Sequence, residues 1–254
     1  MSTNHKIALV TGGSRGLGKD MALKLAQKGL DIIITYNSRK EDALAVVTQV
    51  EQAGGKAAAL QLNVGDVKSF DAFFEELTGI LKNTFNVDHF DFLINNGGIG
   101  GHAPFGQVTE EMFDELLNIH FKGVYFLTQG SLNLLNDGGG IVNISSGLAR
   151  FSMPGPSAYA SMKGAVEVLT RYLAVELGPR RIRANVVAPG AIATDFSGGR
   201  VRDNAETNQM VSNATALGRV GQPEDIGGVV AFLCTEDARW INAQRIEVSG
   251  GMHI

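Results

Sequence analysis

The feature that most constrains the fold of this chain is a series of short apolar runs, rich in Ile, Val and Leu, that recur along its length. Most of these runs are apolar nearly throughout instead of alternating with polar residues, which is what strands covered on both faces require. Amphipathic helical stretches separate successive runs, so the pattern predicts an α/β protein with a mostly parallel sheet. The predicted strands are 6–11, 31–36, 57–62, 90–95, 140–145, 182–187 and 245–249.

The stretches between these strands carry a helical pattern. Pro223 opens the last of them, with Glu224 and Asp225 in its first turn, where proline and acidic residues are favoured. The predicted helices are 16–28, 39–53, 66–83, 109–135, 157–177 and 223–235.

The stretch 189–222 is rich in Gly, Ser and Asn and shows no clear element. It follows the sixth predicted strand, and in open α/β sheets the loops beyond the carboxyl ends of the strands carry the ligand. We therefore predict a mobile substrate lid around 189–222. The rest of the chain shows no linker, and α/β domains of roughly 200 to 250 residues often stay undivided, so we predict one domain over 1–254.

Charge and composition exclude several classes of partner. A net charge of -4, spread without acidic or basic blocks, offers no field that gathers nucleic acid or anionic lipid. No apolar stretch approaches the roughly 18 residues needed to cross a bilayer, so no membrane partner is expected. The single cysteine, Cys234, excludes an internal disulfide framework, and with no secretory segment in MSTNHK we predict a cytoplasmic protein. His102 and His253 show no metal-ligand spacing, so no metal is expected.

A glycine-rich turn, TGGSRGLG at 11–18, joins the first predicted strand to the first helix. Its glycines are Gly12, Gly16 and Gly18, and the better-known G-x-G-x-x-G does not occur in the chain. Glycine is needed where the backbone turns sharply and a phosphate approaches it, and the free amides of the helix N-terminus then meet a pyrophosphate. By itself the motif is weak, because a tight turn without a ligand is the alternative.

Tyr159 and Lys163 stand four residues apart on one face of a predicted helix, and Ser146 precedes the tyrosine by thirteen positions. A carbonyl that accepts hydride needs a proton at oxygen, yet a free tyrosine has a pKa of about 10. An ammonium about 5 Å away, at an effective dielectric of about 20, favours the tyrosinate by about 3 kcal/mol before desolvation opposes it. We therefore predict that Lys163 lowers the pKa of Tyr159 and that Ser146 binds the same substrate oxygen. An exposed pair without a role is the alternative.

Six motifs in this order and spacing resemble the short-chain dehydrogenase/reductase family, particularly its compact single-domain branch that includes the 3-oxoacyl carrier-protein reductases. The resemblance runs from about residue 6 to the C-terminus. It implies a seven-stranded, doubly wound sheet of the Rossmann type, a nicotinamide cofactor and usually a homotetramer. The motifs are TGGSRGLG (11–18), INNGG (94–98), ISS (144–146), YASMK (159–163), APGAIAT (188–194) and IEVSGG (246–251).

Carried over position by position, the resemblance also implies the residues that bind the cofactor. Asn63 and Val64 are expected along the adenine, and the 96–98 segment beneath the adenosine ribose and the central part of the cofactor. The full set comprises Gly12, Ser14, Arg15, Gly16, Leu17, Gly18, Asn37, Ser38, Arg39, Asn63, Val64, Asn96, Gly97, Gly98, Tyr159, Lys163, Pro189, Gly190, Ile192 and Thr194.

The residues after the second strand favour NADP(H) over NAD(H). Enzymes that bind the ribose 2'-hydroxyl of NAD place Asp or Glu about twenty residues after the glycine turn. Here that place reads YNSRK at 36–40, without a carboxylate, while Arg39 and Arg15 offer partners for a 2'-phosphate. The alternative is that Arg39 and Lys40 simply face water at the start of a helix.

His120 departs from the family pattern. The family commonly carries N-x-x-G in the fourth helix, where the asparagine helps to position a water in the proton path, and the chain has His120 in that register, three residues before Gly123. His120 either conducts protons, since its pKa lies near neutrality, or is a buried structural histidine. Phe151, Met153 and Phe196 are candidates for lining the substrate pocket, with ordinary packing as the alternative.

The motifs together predict an NADP(H)-dependent oxidoreductase that interconverts a ketone and a secondary alcohol, most simply a carbonyl or 3-oxoacyl reductase. In this prediction Tyr159 is the acid/base, Lys163 its electrostatic partner and ribose contact, and Ser146 orients the carbonyl. Two alternatives stay open: an NAD-linked alcohol or sugar dehydrogenase, and a dinucleotide-sensing protein without turnover, because His120 breaks the usual proton path. Arg200 and Arg202 are a slight indication of a basic surface for an acyl carrier protein.

Overall fold

The computed structural model describes residues 5–254 and contains a sheet of seven parallel strands. Across the sheet their order is β3-β2-β1-β4-β5-β6-β7. The chain therefore starts at β1 inside the sheet, builds outward to the edge strand β3, returns to β4 beside β1, and builds outward to the other edge at β7. This is the predicted doubly wound, Rossmann-type arrangement, and it is confirmed. The strands are β1 (Ile7–Val10), β2 (Asp31–Tyr36), β3 (Ala57–Gln61), β4 (Phe90–Asn95), β5 (Leu135–Ile144), β6 (Arg183–Pro189) and β7 (Arg245–Val248).

Helices cover both faces of this sheet. In sequence order they are α1 (Gly16–Gln27), α2 (Lys40–Gln52), α3 (Phe70–Ile80), α4 (Glu110–Leu117), α5 (Gly123–Ser131), α6 (Ser157–Glu176), α7 (Arg200–Asp203), α8 (Ala205–Asn213) and α9 (Pro223–Leu233). Buried side chains of α1, α2 and α9 share one core cluster, and those of α3, α5 and α6 share a second. The glycine turn and the ends of β4, β5 and β6 therefore lie between two helical layers.

The two cores explain why the strands are apolar almost throughout. In β2, Ile32 and Ile34 belong to the core on one face, while Ile33 belongs to the core on the other. Successive side chains of a strand point to opposite faces, so a strand with cores on both sides leaves no position for a polar alternation.

The prediction of a helix over 109–135 holds as far as Ser131 and is wrong at its C-terminal end. Helix α4 ends at Leu117, a π-helical segment covers Asn118–Lys122, α5 ends at Ser131, and β5 already begins at Leu135. The backbone stays helical through this π turn, but the turn holds one extra residue and shifts the apolar face, which the prediction did not include. The early start of β5 comes from the pairing of Leu135 with Phe90, which no local pattern indicates.

The prediction that 189–222 lacks a regular element is also wrong. The segment contains α7 and α8, preceded by a turn in which Ser197 has a φ of 53° and Gly198 and Gly199 have φ values of 70° and 76°. Asn204 caps α8 by accepting a hydrogen bond from the Thr207 amide at 2.8 Å. The Gly, Ser and Asn content therefore serves turns and caps. That this segment acts as a substrate lid stays a prediction.

The start of α9 matches the prediction. Helix α9 starts with Pro223, and a capping box joins Gln222 and Asp225 there. Across residues 5–254, every helix is too short or too polar to pass through a lipid bilayer.

Candidate active site

The glycine turn after β1 is packed against the loop that follows β4. Gly12 has a φ of 65°, and a Cβ atom at this position would lie 2.9 Å from the Cα of Gly97. A Cβ atom at Gly18 would overlap the carbonyl oxygen of Gly12 and lie 2.6 Å from Nδ2 of Asn96. Both glycines are thus required by the close approach of other atoms, and Gly12 also by its left-handed conformation.

Hydrogen bonds to the hydroxyls of two threonines hold this turn. Thr11 Oγ1 accepts bonds from the amides of Asn96 and Gly97, both at 2.9 Å, and Asn96 Nδ2 donates to the carbonyl of Thr11 at 2.9 Å. Thr35 Oγ1 accepts from the Gly12 amide at 3.2 Å. The structure therefore brings the predicted 11–18 and 96–98 groups together. Neither threonine was among the predicted site residues, although Thr11 opens the glycine motif itself.

The start of α1 is suited to an anion. Arg15 holds the N-cap position in an extended conformation, and its side chain does not cap the first amides of the helix. Gly16, with a φ of 53°, carries no side chain that could cover them. Unsatisfied amides and the positive end of the helix dipole favour negative charge at such a place.

The two arginines predicted for a 2'-phosphate are exposed and paired. Arg39 Nη1 lies 3.3 Å from Asp42 Oδ2, and Arg15 Nη1 lies 3.1 Å from Asp195 Oδ2. Exposed ion pairs contribute only about 0 to 1 kcal/mol, so exchanging these carboxylates for a phosphate costs little. Asp195 was missed from the sequence, because its partner lies 180 positions away along the chain.

The predicted adenine-side residues follow β3, and one of them contacts the loop after β4. Asn63 Oδ1 accepts a hydrogen bond from the Gly65 amide at 3.0 Å. A Cβ atom at Gly97 would lie 3.4 Å from Cγ1 of Val64, so Val64 stands beside the loop after β4. After β2, the carbonyl of Asn37 accepts from Gln61 Nε2 at 2.9 Å.

The segment after β6 folds back onto the glycine turn. Gly190 donates its amide to the Val248 carbonyl at 3.0 Å, and a Cβ atom there would lie 2.9 Å from the Cα of Ser249. Thr194 is buried, and its Cβ would lie 3.7 Å from a Cβ atom built on Gly16. Ile192 forms an isolated bridge with Gly221. Of the predicted cofactor-binding residues after β6, Thr194 therefore stands next to the glycine turn.

Tyr159, Lys163 and Ser146 meet where β5 ends against α6. Tyr159 is 9% exposed and Lys163 is 6% exposed. Lys163 Nζ lies 5.6 Å from the centre of the Tyr159 ring and donates a hydrogen bond to the carbonyl of Ile144 at 2.8 Å. Ser146 Oγ accepts from the Leu148 amide at 3.2 Å, so the backbone orients this hydroxyl.

Burial sets the protonation states of this group. Burial raises the pKa of the Tyr159 phenol, and the Ser146 hydroxyl opposes that rise only in part. Burial lowers the pKa of Lys163 to about 8. The predicted lowering of the Tyr159 pKa does not hold for this arrangement, because the loss of hydration raises that pKa and only the Ser146 hydroxyl opposes the rise. At neutral pH the phenol keeps its proton, which is the form that can donate one.

His120 lies in the π-helical segment and is almost fully buried, at 1% exposure. Its Nε2 is 2.8 Å from the carbonyl oxygen of Ile99, and its ring meets the Tyr159 ring edge-on, with centroids 5.0 Å apart. Burial, and next the charge of Lys163, lower the pKa of His120 to about 3. A Cβ atom at Gly98 would lie 2.7 Å from its Cε1. His120 is therefore neutral near pH 7, which favours the structural interpretation.

The three candidates for lining the pocket have different surroundings. The Phe196 ring centre lies 6.1 Å from that of Tyr159, so Phe196 is next to the predicted acid. Phe151 instead packs against His253, with ring centres 4.6 Å apart, which supports ordinary packing for it. Met153 is 44% exposed.

Within residues 5–254, no group of three or more His, Cys, Asp or Glu side chains stands close enough to hold a metal ion.

Comparison with known proteins extends over nearly the whole chain. A family model described as enoyl-(acyl carrier protein) reductase matches residues 12–253. An uncharacterized oxidoreductase of Methylorubrum extorquens is 38% identical over 247 residues, which cover 97% of each chain. The hydroxynaphthalene reductase-like protein Arp2 of Metarhizium brunneum is 36% identical over 257 residues, covering 97% of this chain and 94% of the relative.

Solved structures agree with these relatives. The angucycline C-6 ketoreductase LanV with bound NADP superposes with a TM-score of 0.93 at 36% identity, covering 98% of this chain and 95% of LanV. The promiscuous reductase LugOII, which catalyses keto-reduction at C1 during lugdunomycin biosynthesis, also has a TM-score of 0.93 at 36% identity, with 100% of both chains covered. With the six motifs gathered at one end of a doubly wound sheet, these matches show that the chain belongs to the short-chain dehydrogenase/reductase family.

Proposed function

We propose that this chain is an NADP(H)-dependent ketoreductase that transfers hydride between the cofactor and a ketone or secondary alcohol. The observation that carries the proposal is a buried Tyr159 beside Ser146 and Lys163, at the sheet end that also holds the glycine turn. The bound NADP of LanV and the keto-reduction by LugOII support the same reaction class for this chain.

The residues fit the cofactor. The turn lacks side chains at Gly12 and Gly18, where a Cβ atom would collide, and the first amides of α1 are free for a pyrophosphate. Arg39 and Arg15 supply two exposed guanidinium groups for a 2'-phosphate, and no carboxylate follows β2 directly. The proposed contacts comprise Gly12, Ser14, Arg15, Gly16, Leu17, Gly18, Asn37, Ser38, Arg39, Asn63, Val64, Asn96, Gly97, Gly98, Tyr159, Lys163, Pro189, Gly190, Ile192 and Thr194.

The chain's own residues donate the proton and stabilise the charge that its transfer leaves. NADPH, when held by the residues above, would supply the hydride for the carbonyl carbon. The Tyr159 hydroxyl donates its proton to the carbonyl oxygen, and the Ser146 hydroxyl donates a hydrogen bond to that oxygen. The Lys163 ammonium, 5.6 Å from the phenol ring, stabilises the tyrosinate that this transfer leaves. His120 packs against the Tyr159 ring as a neutral group and orients it.

The two alternatives differ from this proposal in observable ways. An NAD-linked alcohol or sugar dehydrogenase requires a carboxylate for the ribose hydroxyls, and the YNSRK sequence at 36–40 has none. A dinucleotide-sensing protein requires no acid, yet Tyr159 and Ser146 stand together with Lys163. Turnover separates this second alternative from an enzyme.

The proposed substrate is a ketone on an apolar, aromatic framework. Phe196 lies beside Tyr159 and offers a ring for stacking. Arg202 pairs with Asp195 and Asp203, which removes much of the basic surface that a carrier protein needs. The hydroxynaphthalene reductase-like relatives and the angucycline ketoreductase point to the same class. The segment 189–222 covers this substrate as the proposed lid.

The test measures NADPH consumption with a bicyclic aromatic ketone, a small aliphatic ketone and an acetoacetyl thioester. We expect the aromatic ketone to have the highest kcat/KM. Tyr159→Phe should lower kcat by about 10²- to 10⁴-fold and leave NADPH affinity within a few-fold. Tyr172→Phe, at an exposed position of the same helix, is the matched control and should keep parental activity. A Tyr159→Phe enzyme as active as its parent contradicts the proposal, as does failure of all three ketones.

Assembly and location complete the proposal. We assign a homotetramer, from the family resemblance and from large apolar side chains exposed on α5 and α6, such as Phe126 and Tyr172. We assign a cytoplasmic location, which the lone, buried, free Cys234 supports.

A further inference from the structure

A chain of ion pairs runs from β7 to the backbone of Ser146. Arg245 Nε donates to Glu167 Oε1 at 2.7 Å, and its Nη1 donates to Glu247 Oε2 at 2.9 Å. The third arm, Nη2, donates to the carbonyl oxygen of Ser146 at 3.3 Å. One guanidinium therefore joins α6, β7 and the residue that carries the proposed carbonyl-binding hydroxyl.

A second arginine continues this chain beyond the serine. Arg150 forms a two-pronged pair with Glu247, at 2.6 and 2.8 Å, and donates to the carbonyls of Met252 and His253 at 2.9 and 3.0 Å. Before the serine, Ser145 Oγ donates to Glu167 Oε1 at 2.6 Å. The network thus holds the polypeptide on both sides of Ser146.

The pairs nearest Ser146 are partly buried. Side-chain exposures are 13% for Glu167, 21% for Glu247 and 23% for Arg245. Charge-assisted bonds in such surroundings are screened less than surface pairs and are more directional. This network can therefore fix a geometry, which exposed pairs rarely do.

Ser146 needs such a support because it lies outside the sheet. It follows closely after the end of β5, has an extended backbone, and its carbonyl accepts one local bond, from the Ala149 amide at 3.1 Å. Arg245 occupies the second lone pair of that carbonyl. We propose that Arg245 is a positioning residue, which sets the direction of the Ser146 hydroxyl toward the substrate carbonyl through the Ser146 backbone.

This inference rests on the proposed role of Ser146, and a double-mutant cycle tests both separately. Ser146→Ala, Arg245→Ala and the double variant are compared by kcat and KM with the ketone that the parent reduces, and by NADPH affinity. We expect Arg245→Ala to lower kcat by about tenfold to a hundredfold, because small misplacements of a catalytic group cost that much. NADPH affinity should stay within about threefold, and Arg245→Lys should recover part of kcat. In the Ser146→Ala background, Arg245→Ala should cost no further activity.

Arg180 provides the matched control. It joins the carboxylate of Asp137 to the carbonyls of Leu132 and Leu135, at the opposite end of β5 from Ser146. Arg180→Ala removes the same kind of contacts and should lower the unfolding midpoint in denaturant while keeping kcat.

The outcomes are distinct. Parental kcat in Arg245→Ala, or equal fractional losses in the parent and Ser146→Ala backgrounds, overturns the positioning role and leaves the proposed function intact. A Ser146→Ala enzyme with parental kcat overturns the proposed role of Ser146, and the positioning role with it.

Discussion

At the scale of single residues, burial decides the chemistry of the candidate site more than pairwise charge does. Tyr159 and Lys163 are both buried, so each loses hydration in its charged form, and the pKa of the phenol rises while that of the ammonium falls to about 8. The result is a proton donor beside a cation that is easily neutralised. This combination suits reduction of a carbonyl, which consumes the proton.

The first prediction concerns pH. Lys163 is charged below about 8 and loses its charge as the pH rises through that value. We therefore expect kcat/KM for ketone reduction to be level near neutrality and to fall above about pH 8, because a neutral lysine no longer stabilises the tyrosinate. His120, with a pKa of about 3, should add no acid limb between about pH 5 and 8. A profile for His120→Asn that loses an acid limb present in the parent would contradict this assignment.

The second prediction concerns cofactor choice. Arg39→Ala should weaken NADPH binding by about tenfold to a hundredfold and leave NADH binding nearly unchanged, because a charge-assisted bond contributes about 1.5 to 3 kcal/mol. Asp42→Asn is the control: it frees Arg39 from its 3.3 Å pair and should keep or improve NADPH affinity. Dissociation constants from nicotinamide fluorescence give both values. Equal losses for the two cofactors would exclude Arg39 from the 2'-phosphate site.

At the scale of elements, the glycines of the β1–α1 turn are needed for packing against the loop after β4, whether or not a ligand is bound. Its glycines admit the loop after β4 at distances that a side chain would prevent, and Thr11 and Asn96 then tie the two loops together. Binding residues from separate strands are held rigid in this way, which lowers the cost of ordering them around a ligand.

The third prediction compares two glycines. Gly18→Ala should lower the free energy of unfolding by about 1 to 3 kcal/mol, because the new Cβ would overlap the Gly12 carbonyl. Gly79→Ala, inside α3 with open space around it, should instead raise that free energy by about 0.5 to 1 kcal/mol. Denaturant unfolding of both variants measures the difference. A neutral Gly18→Ala would mean that the turn relaxes more easily than its contacts indicate.

At the scale of the whole molecule, one helix face lacks a cover. Val168, Tyr172 and Val175 recur at helical spacing on α6 and are 45%, 63% and 76% exposed. A contiguous row of exposed, large apolar side chains is typical of a surface that contacts another molecule. A second copy of the chain is the partner that the proposed homotetramer supplies.

The fourth prediction tests that assembly. Val175→Glu should shift the protein to a smaller oligomer, because each copy of the interface would bury an unpaired carboxylate. Leu44→Glu, at an apolar position on α2 that is 47% exposed, is the control and should leave the mass unchanged. Light scattering after gel filtration gives the mass of each variant. A parent protein that is monomeric at micromolar concentration would refute the tetramer.

The sequence by itself determined the seven strands, the burial of both faces of the sheet and the order of the six motifs. It could do so because local periodicity and glycine spacing encode local structure directly. It also located the trio of Ser146, Tyr159 and Lys163. Only the tertiary structure decided the raised pKa of Tyr159, the π-helical segment that contains His120 and the contact of Arg245 with Ser146. Hydration and contacts between residues 99 positions apart depend on how distant segments pack, and no local pattern carries that information.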